Sequence, residues 1–172
     1  MRDAEARSGL DPVTRVCMRR LVDRRTQLLS KVKALAREYY DLTGRPHGVT
    51  SEIAEYEAAR PLGVSLTPVR QAGYDATRVR AGQEEKRQIK GRCLPAAAKS
   101  GQRICGIRLD GDWDRVLLVL LDERFEVTAI YEAGRGEVDR AITAPGSKAR
   151  NERGQLPVSN FKAIGERIWS AS

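Results

Sequence analysis

GYDATRVRAGQEEKRQIKGR, residues 73–92, is the stretch that decides how this chain folds. Tyr74-Asp75-Ala76-Thr77-Arg78-Val79 has the composition of a strand, Ala81-Gly82-Gln83-Glu84-Glu85 is a polar turn containing glycine, and Arg87-Gln88-Ile89-Lys90 returns, so the stretch predicts a β-hairpin. Side chains two apart in a strand share a face. Gln88 and Lys90 are therefore expected on one side, with Ile89 on the other, toward the core. That leaves a polar face carrying Asp75, Gln88 and Lys90. Twelve residues separate Asp75 from Gln88, which gives the pattern Asp-x12-Gln-x-Lys.

Upstream of the hairpin, Thr50 or Ser51 can cap a helix through Glu52-Ile53-Ala54-Glu55-Tyr56-Glu57-Ala58-Ala59, which Pro61 and Gly63 should end. Leu62–Leu66 then reads as a strand ended by Thr67-Pro68. Further back, Asp11 can N-cap a long helix to Leu42, with Pro12 in its first turn, apolar residues recurring near a period of 3.6, and Gly44 and Pro46 beyond its end. Downstream, residues 94–102 read as a loop or one short helix. Val116–Leu121 is a continuous apolar run, as expected of a central strand buried on both faces. Asp122-Glu123-Arg124 should turn the chain into a strand over residues 125–131, with a short helix at Glu137–Ile142. Phe161, Ile164, Ile168 and Trp169 fit one face of a last helix. The pattern predicts an α/β fold, an α/β/α arrangement around a central mixed sheet over residues 46–172, preceded by a helical extension over residues 1–45.

The formal net charge of +8 points to an anionic partner, and nucleic acid is the natural one, because arginine-rich surfaces bind by releasing counterions from phosphates. A basic protein that binds nothing is the plain alternative. The first helix carries Arg24 and Arg25 among many basic residues, and Lys148, Arg150 and Arg153 lie in a polar loop; each group reads either as a phosphate-tracking surface or as a solvated one. The long helix can pack along its own domain or against a second copy, giving a homodimer. Cys17, Cys93 and Cys105 form no Cys-x-x-Cys pair, and the single histidine, His47, reads as a loop residue, so a zinc site is not expected. Cys93 has no nearby histidine to activate it and reads as a structural thiol. There is no Ser-His-Asp set and no Gly-rich nucleotide loop with its lysine. The polar start and the lack of any run of about 20 apolar residues point away from a signal peptide or a membrane span, and toward a cytoplasmic protein with free thiols.

At Asp75, Gln88 and Lys90, with Glu55 on the preceding helix, the chain resembles the PD-(D/E)XK superfamily of restriction-endonuclease-like nucleases, in its Gln-x-Lys variant. The resemblance spans residues 51–131 and departs from the commonest pattern at Gln88, where an acidic residue usually stands. It implies a restriction-endonuclease-like core and a nuclease that hydrolyses phosphodiester bonds, of DNA first, with Mg²⁺ or Mn²⁺ as its cofactor, in a restriction or defence module. By that resemblance Asp75 and Glu55 would hold the ion with the carbonyls of Gln88 and Ile89. Lys90 would orient the attacking water, and Arg70, Arg87 and Arg92 would position the phosphate backbone. Two alternatives stand beside it: a non-catalytic nucleic-acid-binding or scaffold protein on a degenerate nuclease fold, and a surface hairpin whose Asp75 and Lys90 form an ordinary ion pair.

Overall fold

In the computed structural model, which describes residues 11–45, 48–68, 73–96, 98, 101–104, 106–146 and 151–171, the first helix α1 spans Pro12–Thr43. Asp11 starts it as expected: its Oδ1 accepts the N–H groups of Val13 and Thr14 at 2.9 and 3.0 Å. Gly44, at φ 64°, ends it by donating its N–H to the Tyr40 carbonyl. Helix α2 spans Thr50–Leu62, and neither Thr50 nor Ser51 caps it. Val49 holds the cap position with no side-chain hydrogen bond. Pro61 falls within the last turn, and Gly63, at φ 61°, closes the helix. Because α2 claims Leu62 and buries it, the strand that follows, β1, is only Ser65–Leu66.

The hairpin is tighter than its sequence suggests. β2 (Ala76–Arg80) and β3 (Gln83–Cys93) are joined by Ala81 and Gly82 alone, at φ 51° and 84°, and two successive left-handed residues match the twist of paired strands. Gln83, Glu84 and Glu85 therefore belong to the strand and not to the turn. After β4 (Arg103–Ile104) come β5 (Arg115–Leu121), β6 (Val127–Gly134) and α3 (Arg135–Thr143), then β7 (Leu156–Pro157), α4 (Val158–Ile164) and β8 (Glu166–Ser170). The single helix expected over Phe161–Trp169 is thus a helix and a strand. Gly165 is extended, and beyond it Trp169 pairs with Ile130 on the free edge of β6, which satisfies backbone groups that a longer helix would have left to water.

The main sheet has the order β1-β2-β3-β5-β6-β8, antiparallel throughout except for the parallel β3–β5 pair, and β4 pairs with β7 in a small second sheet. The fold is mixed α/β. On one face, Ile53, Ala54 and Ala58 of α2 and Ala36 of α1 pack with Ile89, Leu117, Val119, Leu121 and Ile130. On the other, Val138, Ile142, Val158 and Phe161 from α3 and α4 pack with Val116, Leu118, Leu120 and Ala133. The apolar run of β5 alternates between these two cores, so it carries no polar side and each fully buried Leu or Val contributes about 1.5–3 kcal/mol. Arg135 pins the crossover from β3 to β5: its guanidinium lies 4.7 Å from the Trp113 ring and donates to the carbonyls of Leu109, Gly111 and Trp113. No helix among the described residues is long and apolar enough to cross a membrane.

Candidate active site

Asp75 stands where β2 and β3 part. Its N–H donates to the Arg87 carbonyl at 2.8 Å, the ladder begins at the Ala76–Arg87 pair, and its Oδ2 accepts the Ile89 N–H at 2.7 Å. A side chain thus takes the place that a strand carbonyl would fill. Across the sheet, Gly91 lets α2 lie directly on β3: a Cβ there would come within 2.6 Å of the Ala54 Cβ and 2.8 Å of the Thr50 carbonyl oxygen. The glycine serves the helix contact and not, as its place beside Lys90 suggests, an open backbone. Glu55 follows Ala54 and is carried to the same region. Gly73, at φ 96°, makes a second close approach, with its missing Cβ 2.9 Å from the Asp112 nitrogen.

Three of the expected residues are brought into one electrostatic environment. Burial raises the pKa of Glu55, Asp75 and Glu52 raise it further, and Lys90 opposes the shift. Burial lowers the pKa of Lys90 against the attraction of Asp75 and Glu55. Burial thus disfavours the charged forms of both Glu55 and Lys90, a perturbation that functional sites and structural ion-pair networks share. Ile89 is 4% exposed and lies in the core, as its alternation predicts.

The polar face expected of Asp75, Gln88 and Lys90 is not open to solvent: Gln88 is 5% exposed and Lys90 partly buried, on the face where their β5 partners Val116 and Leu118 pack in the second core. The Gln88 Nε2 donates to the Gly73 carbonyl at 3.4 Å, while its Oε1 is buried without a hydrogen-bond partner. An orphaned buried acceptor costs about 1–3 kcal/mol and calls for a donor or a cation.

The arginines divide. Arg87 is buried within the fold and offers no exposed surface to a phosphate. It is 1% exposed, ion-paired to Glu85 at 2.8 Å and Glu132 at 3.1 Å, and Arg115 bridges the same two acids at 3.5 Å each. Arg92 is partly buried and donates to Gln102, with its Nε buried and unpartnered. It lines a cleft of ≈ 300 Å³ beside Thr50, Gly91 and Cys93. Arg24 and Arg25 are exposed on α1, the latter 5.6 Å from the Tyr56 ring centroid, and Arg153 is exposed. Arg70, Lys148, Arg150, His47 and Cys105 lie outside the described residues. The Cys93 thiol donates to the Asp122 carbonyl at 2.9 Å, and burial pushes its pKa up to about 11, so it has no thiolate character near neutrality. Nothing in the sequence pattern signals Glu132, Arg115 or Arg135, whose partners lie 22 or more residues away along the chain for the latter's carbonyl clamp and 45 for the Arg87–Glu132 pair.

No protein-family model matches this chain, and no curated protein matches it. Among the described residues, no three His, Cys, Asp or Glu side chains converge on a common metal position. An ion at this site would be held by two carboxylates, Asp75 and Glu55, and by neutral oxygens. The unpartnered Gln88 Oε1 supplies one such oxygen, and an all-oxygen set with one or two carboxylates suits Mg²⁺ or Mn²⁺ and not zinc.

Proposed function

We propose that this chain is a metal-dependent nuclease with a restriction-endonuclease-like core, acting on the phosphodiester bonds of nucleic acid, DNA first. The observation that carries this reading is the coupling of Glu55 on α2, Asp75 just before β2 and Lys90 on β3, with the glutamate raised and the lysine lowered by burial. The chain order also supports it: helix glutamate on α2, aspartate at the opening of β2, Gln88-Ile89-Lys90 on β3, then the strand pair β5 and β6.

Asp75 and Glu55, with the Gln88 Oε1 and the Ile89 carbonyl, would hold Mg²⁺ or Mn²⁺. When bound, the ion supplies charge neutralisation at the phosphate and an acidified water. The protein's own residues do the rest. The Ile89 N–H fixes the Asp75 carboxylate by taking one of its oxygens, leaving the other for a ligand. Lys90, with its ammonium poorly solvated, is easily turned toward a phosphate oxygen or a water and gives up its proton more readily than a surface lysine. Gln88 contributes a neutral oxygen where an acid would contribute charge, so affinity for the ion rests mainly on two carboxylates.

The test is cleavage of single- and double-stranded DNA and RNA by the purified chain with Mg²⁺, Mn²⁺ or chelator. Metal-dependent cleavage that falls about 100-fold or more in both Lys90→Met and Asp75→Asn, each confirmed as folded, supports the reading. Binding without cleavage under every condition would instead support a non-catalytic nucleic-acid-binding protein, the reading that the neutral Gln88 favours. Cleavage that persists in both variants would place the chemistry elsewhere.

A further inference from the structure

Four leucines on α1 recur every seven residues, and all four are exposed: Leu21 at 60%, Leu28 at 46%, Leu35 at 66% and Leu42 at 79%. The helix packs on its own domain through the adjoining side, where Val32 and Ala36 meet the core; the leucine stripe borders Val32 and lies about a quarter of a turn from Ala36. A solvated helix face has no reason to repeat leucine at a heptad interval over about 32 Å, whereas a seam between two helices requires it. We propose that α1 pairs with α1 of a second copy of this chain through this stripe, in the antiparallel direction.

Charge selects both the partner and the direction. Arg24, Lys31 and Glu38 each follow a stripe leucine by three residues and so border the same side of it. An antiparallel alignment that sets Leu21 against the partner's Leu42 and Leu28 against the partner's Leu35 brings Arg24 next to the partner's Glu38. The two-fold axis repeats that pair, and only Lys31 meets its own copy. The basic first half of the helix, with Arg19, Arg20, Arg24 and Arg25, then lies at opposite ends of the pair, beside the half in which Glu38 and Asp41 offset most of the charge of Lys31, Lys33 and Arg37. A parallel alignment would gather the basic first halves at one end and offer Arg24 and Glu38 no opposite charge. The heptad interval and this complementarity favour a second copy over an unrelated partner.

Sedimentation of the full chain, freed of nucleic acid, tests the proposal. The expected species has twice the 19.1 kDa of one chain and dissociates on dilution. Leu28→Lys with Leu35→Lys should give a monomer whose circular dichroism matches the wild type and whose melting matches that of the wild type at dilutions where it has dissociated, since both side chains are exposed. Arg24→Glu or Glu38→Arg alone should raise the dimer Kd about tenfold, and the two together should restore it to within about threefold. A wild-type chain that is monomeric at all concentrations, or a dimer indifferent to the leucine substitutions, overturns the proposal. If the lysine variants fail to fold, the charge exchange decides it alone: an exchange that does not restore association overturns the antiparallel pairing.

Discussion

Gln88 is the residue at which the motif and its surroundings pull hardest against each other. Its amide bonds Gly73 weakly and leaves Oε1 unsatisfied, a cost retained at a buried position. Gln88→Glu should therefore destabilise the metal-free protein by about 1–3 kcal/mol, because a carboxylate would face the Gly73 carbonyl that the amide now serves. The same change should tighten Mn²⁺ binding. Calorimetry and melts with and without Mn²⁺ check both, and a melt that the ion does not rescue would detach Gln88 from any metal role. Glu55 makes a pH prediction. Its folded pKa is raised, so the folded chain keeps a proton that the unfolded chain has lost, and the stability this provides is present in acid and lost as pH rises through the raised value. Glu55→Gln removes the loss, and its advantage in Tm over the wild type, measured in chelator, should grow from about pH 4.3 toward neutrality. A constant difference would contradict it. Arg87 belongs to a buried ion-pair cluster, so Arg87→Ala should cost about 3–5 kcal/mol by stranding Glu132 and Glu85, measurable in urea. An exposed phosphate contact would cost almost none.

At the scale of elements, the contact of α2 with β3 sets the site. Gly91→Val would drive side-chain atoms into Ala54 and the Thr50 carbonyl, displacing α2 and Glu55 with it. The expected cost is about 1–3 kcal/mol, with any metal-dependent cleavage lost before folding is. A variant that melts as the wild type does would show that α2 has room to move. The element order was legible because each signal is local: Asp11 and Gly44 bound α1, the apolar run 116–121 is β5, and Asp75 and Lys90 lie on a hairpin. The hairpin turn and the end of the chain were misread, since Gln83–Glu85 suits a turn as well as a strand and the helical spacing of Ile168 and Trp169 competes with an open edge on β6.

For the whole molecule, the net charge of +8 sets an expectation independent of any single residue. If the chain makes on the order of six to ten phosphate contacts, its affinity for DNA should fall about 10³- to 10⁵-fold between roughly 50 and 200 mM salt. Fluorescence anisotropy across that range measures the slope, and an affinity flat in salt would remove nucleic acid as the reason for the charge. The exposed arginines available for this include Arg24, Arg25 and Arg153, whereas Arg87 is spent inside the fold.

By itself the sequence determined the bounds of α1, the central strand β5, the hairpin that carries Lys90 with Asp75 at its opening, and the basic balance of the chain, because periodicity, capping and composition act over a few residues. Only the tertiary structure decided which polar groups are covered. Alternation along β3 assigns Gln88 and Lys90 to one face, but burial of that face follows from the layer packed on it, where the β5 partners Val116 and Leu118 meet residues of α3 and α4 about 50 to 70 residues away from β3 along the chain. The fate of Arg87 depends in the same way on Glu132 across the sheet, and the raised and lowered pKa values of Glu55 and Lys90 depend on how closely Gly91 admits α2. Such long-range packing leaves no local mark, since desolvation belongs to the assembled layers and not to any one strand.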